Sequence, residues 1–190
     1  LIIADNSASG KGGAIYLTGG TLATPVVSTI DTTAGAVSFE NNQAASKPND
    51  ISINEYTTLV LKGGNSLSFG GGINSSDSVN GGSQINGNTI RIAMDSLANP
   101  ADNAVNLYGN SAFYGDTTLE SGMLALHNVT YGVFSNDNSF AQSGSSVLSG
   151  TGRVEAGTIQ LGGIVNAGVY SDGFSLADIG TLQLKGDTQV

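Results

Sequence analysis

Ile51-Ser52-Ile53-Asn54-Glu55-Tyr56-Thr57-Thr58-Leu59-Val60-Leu61-Lys62-Gly63-Gly64-Asn65-Ser66-Leu67-Ser68-Phe69 holds three apolar-x-apolar triplets, each with Asn, Gly or Ser within two residues of it. Alternation of period two over so short a span marks a half-buried strand, and the flanking Asn and Gly mark turns. The pattern extends outward in both directions. Val37-x-Phe39 lies before it, and Ile90-x-Ile92, Val105-x-Leu107, Leu124-x-Leu126, Ile159-x-Leu161 and Leu182-x-Leu184 lie after it. No segment sustains an apolar stripe of helical period. The weak run from Ile92 to Ala101 is broken by Asn99-Pro100. The chain is therefore read as all-β.

Spacing then suggests how the strands are arranged. Ile15 to Val37 and Val37 to Leu59 are 22 residues each, and Leu67 to Ile90 and Ile159 to Leu182 are 23. Steps of this size predict coils of a right-handed, single-stranded parallel β-helix, a β-solenoid of the pectin-lyase-like kind. Such a coil cannot bury its apolar face alone, so successive coils stack. The interval is not constant (Val105 to Leu124 is 19), and the stretch from Ser75 to Asn88 reads as a loop. A β-sandwich is the competing architecture, because it too repeats short strands. One continuous solenoid over 1–190 is expected.

Composition sharpens the class. Only 11% of the 190 residues are charged, whereas 39% are hydrophobic and 28 are Gly. Polarity thus rests on Ser, Thr, Asn and Gly, which favour turns and disfavour helices. A net charge of −9 and six scattered basic residues argue against nucleic acid as a partner, since phosphates call for clustered Lys and Arg. Cysteine is absent, which excludes disulfides, thiolate metal sites and thiol nucleophiles. The first residues form no signal-peptide core, so the sequence is expected to be a piece excised from a longer chain.

Two segments carry a family likeness. Gly12-Gly13-Ala14-Ile15, followed by Phe39-Glu40-Asn41-Asn42, resembles the paired GGA[I/L/V] and FxxN tetrapeptides of chlamydial-type polymorphic membrane proteins. Physically, the glycines would turn the chain into the Ile15 strand. Phe39 would point into the core, and an Asn beyond it would satisfy backbone groups or adopt the left-handed conformation. The second segment runs from Tyr108 to Leu126 and is similar to the passenger-associated repeat of autotransporters. It continues through a Leu148-Ser149-Gly150-Thr151-Gly152-Arg153-Val154 turn to a Gly180-Thr181-Leu182-Gln183-Leu184 strand. The resemblance divides the solenoid into polymorphic-membrane-protein-like coils over 1–104 and passenger-associated-repeat-like coils over 105–190, and implies a type V secretion passenger, exported through a C-terminal outer-membrane barrel and found at the bacterial cell surface or secreted.

Polysaccharide-active enzymes share the expected architecture, and hydrolysis of glycosides needs two carboxylates on one face. The motifs those hydrolases carry are lacking. Asn88-Thr89-Ile90 stands where Asn-Thr-Asp would, no two Asp are adjacent, and His127 has Leu126 and Asn128 as neighbours instead of glycines. The reading is non-catalytic, with no cofactor and no metal. Its predicted role is adhesion, through a host-cell surface protein or glycan, or self-association. A polysaccharide lyase or hydrolase and a structural spacer or filament subunit are the alternatives. Candidate contact residues are Tyr108, Tyr114 and Tyr131, whose rings and hydroxyls suit interfaces, and Ser75, Asp77 and Asn80 in the expected loop. A second expected loop spans Ala98 to Asp102.

Overall fold

The computed structural model describes residues 1–75, 87–95, 100–171 and 175–190. The chain is all-β, with no α-helix among the described residues and a single short 3-10 turn at Pro100–Asn103. Strand pairing is parallel almost throughout. Among the described residues the two antiparallel exceptions are the short pair Gln43–Ala44 with Lys47–Pro48, and the pair Ile164–Ser171 with Ser175–Ile179. Parallel pairing between strands distant in sequence excludes the antiparallel sheets of a sandwich. The result is a curled parallel sheet flanked by smaller ones.

Three faces recur along the chain. On the first, Ile2–Ala4, Val37–Glu40, Leu67–Phe69 and Ala104–Leu107 lie side by side. Residues 122–127 and 146–151 then extend the row. Register stacks like on like. Ile3, Phe39, Phe69, Leu107 and Leu126 form one inward column, and Val37, Leu67, Val105, Leu124 and Leu148 form another. The second face pairs Val26–Asp31, Thr57–Gly63, Thr89–Met94, 116–121 and Ser139–Gln142, aligning Ile30, Leu61, Ile92 and Leu119. The third stacks Ile15 on Ile51 on Ile73. These columns form one apolar core, with Phe39 and Phe69 parallel at 5.0 Å between ring centroids.

The registers correct the spacing argument. Val37 pairs with Leu67, 30 residues on, and not with Leu59; Ile15 pairs with Ile51, not with Val37. Leu67 pairs with Val105, and Ile90 with Leu59. Leu182 likewise lies beside Gly152, while Ile159 meets Thr188. Intervals near 22 had connected apolar residues on different faces. Every inward triplet looks the same in sequence, so spacing alone does not say which face a triplet occupies. Of the intervals quoted, Val105 to Leu124 is a true register partnership.

The motifs explain the corners. Gly12 takes φ +65° and donates its N–H to the Ser52 hydroxyl, and a Cβ on Gly13 would lie 2.0 Å from the Asn49 carbonyl oxygen. Only glycine lets Ala14 and Ile15 both donate to the Asp50 carbonyl and start the third face. Phe39 points inward and Asn41 takes φ +54°. The Leu148–Val154 segment, expected as a turn, instead lies inside the continuous strand Ser146–Leu161, where register shifts bend it between faces. Asp116–Tyr131 bends in the same way, with Gly122 (φ +77°) and Asn128 (φ +58°) at its corners.

Asn42 is buried and uses both ends of its amide. Its nitrogen donates to the Ile3 carbonyl (3.0 Å) and the Asp50 carboxylate (2.8 Å), and its oxygen accepts from Asn6 Nδ2 (2.9 Å) and the Asn6 backbone (3.1 Å). Truncation would leave the buried Asp50 carboxylate without this donor, at about 1–3 kcal/mol, and would break the part-buried bonds to Ile3 and Asn6 as well. Asn42→Ala is therefore expected to lower the unfolding free energy by about 2–3 kcal/mol. Urea denaturation followed by far-UV circular dichroism checks it. A change no larger than an ordinary surface substitution would show that these bonds do not hold the segments around Ile3, Asn42 and Asp50 together.

Candidate functional site

The residue after each inward residue of the Phe39 column points outward, at the corner leaving the first face. Gly70 donates its N–H to the Phe39 carbonyl and Tyr108 to the Phe69 carbonyl, both at 2.9 Å, and His127 is in register with Thr151. Glu40, Gly70, Tyr108, His127 and Thr151 thus make an outward column, one residue per rung. Tyr108 is 54% exposed, and its ring lies on that of His127 at 4.1 Å and 16°. His127 Nε2 is 3.1 Å from Asn106 Oδ1, two residues before Tyr108 on the preceding rung.

Gly70 leaves a gap in this column between Glu40 and Tyr108. The gap opens into a groove of about 540 Å3, with Ser38 and Ser68 on one side and Asn41, Gln43 and Pro48 on the other. Beyond Tyr108 a segment of about 380 Å3 continues over Gly109 and Asn110 to Asn128 and Val129. A further one of about 350 Å3 runs from Asn128 to Arg153 and Gln183. Each segment shares residues with the next, so they form one groove running across the rungs. Its floor is open because Gly70, Gly71 and Gly109 lack side chains, and a Cβ on Gly109 would lie 2.4 Å from the Gly70 carbonyl.

The electrostatics of the groove are simple. Glu40 is the one carboxylate among the described residues that line it, and Ser38 donates to Glu40 Oε1 at 2.8 Å. Behind the floor, buried Asp50 accepts from Gly71 N–H (2.6 Å) and from Asn42; burial outweighs these bonds and raises its pKa. Burial lowers the pKa of His127, so the ring stacked on Tyr108 is neutral near neutral pH. Because its folded pKa lies below the ordinary 6.5, the unfolded chain binds more protons there, and stability falls as pH drops through and below that value. His127 is the single histidine of the sequence, so its imidazole resonances in an NMR titration are unambiguous. The expected midpoint lies below 6.5 and moves up toward it in Tyr108→Ala, which uncovers the ring. An unchanged midpoint in the variant would mean that Tyr108 does not shield it.

The sequence-predicted contact residues separate sharply. Tyr108 lies in the groove. Tyr114 is half-buried and its N–H donates to the Ser75 hydroxyl at 2.9 Å. Ser75 is fully buried and also accepts from Asn88 Nδ2 at 3.0 Å, so it fastens neighbouring segments and presents nothing to a partner. Tyr131 is core: its hydroxyl bonds Thr117 at 2.7 Å, its ring packs edge-on against Phe140, and burial raises its phenol pKa. Asp77 and Asn80 lie outside the described residues, as do most of the Ser75–Asn88 loop and the start of the Ala98–Asp102 loop. Glu40, Gly70 and His127 were not singled out as contact residues from sequence. No group of three or more His, Cys, Asp or Glu among the described residues is placed to hold a metal ion.

No family model, no curated protein and no solved structure matches the chain.

Proposed function

We propose that the chain is a right-handed parallel β-helix serving as the passenger of an autotransporter, and that it acts as a non-catalytic contact scaffold. In this reading it is carried to the bacterial surface, or released, by a C-terminal outer-membrane barrel in the full-length protein. There it binds a host-cell surface protein or glycan. The observation that carries the contact role is the groove crossing several rungs, with Tyr108 exposed and braced against His127. A preformed aromatic on a rigid ladder loses little entropy on binding, which is what a recognition surface needs. Three recurring faces with apolar columns support the β-helix. A single carboxylate in the described groove supports binding over glycoside cleavage, which takes two.

The test is a screen of the labelled chain against immobilised host-cell proteins and glycans, alongside an assay for reducing ends released from pectin and related polymers. Binding that Tyr108→Ala abolishes, without product release, is the expected result. Release of product, or attachment indifferent to Tyr108, would overturn the reading. A spacer or self-associating role is the second reading. Concentration-dependent end-to-end assembly in sedimentation would support it.

A further inference from the structure

We infer that the gap at Gly70 is a receptor site for a basic side chain, an arginine before a lysine, presented by a partner polypeptide. The inference rests on the contact-scaffold reading and names the chemistry of its partner. One wall of the gap is the Glu40 carboxylate. Its side-chain contact among the described residues is the Ser38 hydroxyl at 2.8 Å, and no ion pair among them involves it. The opposite wall is the free face of Tyr108, whose other face is covered by His127. A ring face carries negative potential, so carboxylate and aromatic both attract a cation. No Lys, Arg or His among the described residues lines this segment of the groove. The whole chain carries −9.

The dimensions agree with this chemistry. Glu40 and Tyr108 stand two rungs apart with Gly70 between them, about 9–10 Å of backbone separation. A cation held within about 6 Å of the ring centre has about 3–4 Å left to the carboxylate, the distance of an ion pair. Arginine fits better than lysine, because its planar guanidinium stacks on the ring while its edge donates to Glu40. The Ser68 hydroxyl on the rim supplies a further acceptor. A neutral sugar would also stack on Tyr108, but it has no need of the charge on Glu40.

The experiment is an NMR titration of the isotope-labelled chain with acetyl-Gly-Arg-Gly-amide. The same peptide carrying uncharged citrulline in place of arginine, and a neutral oligosaccharide, are run beside it. Expected are shifts confined to amides of 38–43, 68–71 and 108, weakened by added salt and absent with citrulline. Glu40→Gln, which keeps the shape and removes the charge, and Tyr108→Leu, which removes the ring face, are each expected to weaken binding roughly five- to tenfold. Gly70→Ala, whose added carbon meets the Phe39 carbonyl at 3.1 Å, narrows the gap and should weaken it further. Equal binding of the citrulline peptide, indifference to Glu40→Gln, oligosaccharide shifts at the same amides that ignore Glu40→Gln, or no shifts with arginine would each overturn the inference. Arginine binding intact without attachment in the screen would sink only the surface-contact reading. Attachment that Tyr108→Ala abolishes but Glu40→Gln spares would sink only the basic-ligand assignment.

Discussion

Phe69→Ala is expected to lower the unfolding free energy by about 3–5 kcal/mol, read as a large drop in the urea midpoint. Phe69 is fully buried, stacked on Phe39 at 5.0 Å and in register with Leu107 on its other side. Cavity cost depends on how far the surroundings can collapse. Here they can collapse little, because hydrogen-bonded ladders fix the backbones of both neighbouring rungs. In the proposed β-helix, held by nearest-neighbour contacts, an interior cavity also weakens coupling between the two halves of the stack. Two unfolding steps in place of one are then expected in the variant. The half-buried Leu17, at the end of its column, supplies the control, and Leu17→Ala should cost markedly less. Equal losses at the two sites would mean that the columns do not carry the stability.

How much of this was legible in the sequence depends on which question is asked. Period-two alternation identified the strands, because inward and outward residues on a half-buried strand experience different solvents and each triplet records that locally. Register is not local. Ile51, Leu59 and Leu67 look alike in sequence, yet they pair with Ile15, Ile90 and Val37 on three different faces. The glycines at the corners were legible as turn signals. That Leu148–Val154 bends without leaving the strand was not, since glycine marks an unusual φ but does not say whether hydrogen bonding stops there.

The site shows the same division. Tyr108 could be picked out as an aromatic with a polar tip, but so could Tyr131, and sequence does not distinguish the outward residue from the inward one when a strand turns a corner. Asn128 at φ +58° shifts the register between His127 and Val129, and this places Tyr131 inside. The gap at Gly70 is defined by its neighbours in space, 30 residues before it and 38 after it. Only the registers bring Glu40 and Tyr108 to its two sides.

Glycine substitutions separate backbone strain from crowding, and Gly150→Ala should be among the most damaging single changes in the chain. Gly150 has φ +115°, and a Cβ there would lie 2.0 Å from the Leu126 carbonyl oxygen and 2.6 Å from its nitrogen. Both atoms belong to the backbone of the adjacent rung, so no side chain can move aside to make room. Gly19 has a similar φ of +104° but nothing within 4 Å of its added carbon. Gly19→Ala therefore reports the conformational cost alone, about 1–3 kcal/mol. Gly150→Ala adds the collision and should exceed about 4 kcal/mol, or prevent folding. Paired urea titrations measure the difference, and for a Gly150 variant that does not fold, soluble yield and far-UV circular dichroism beside Gly19→Ala replace them. If the two variants lose the same amount, the rungs are not as close as the Leu126–Gly150 register requires. Close stacking of that kind underlies both the apolar columns within and the outward column that forms the groove.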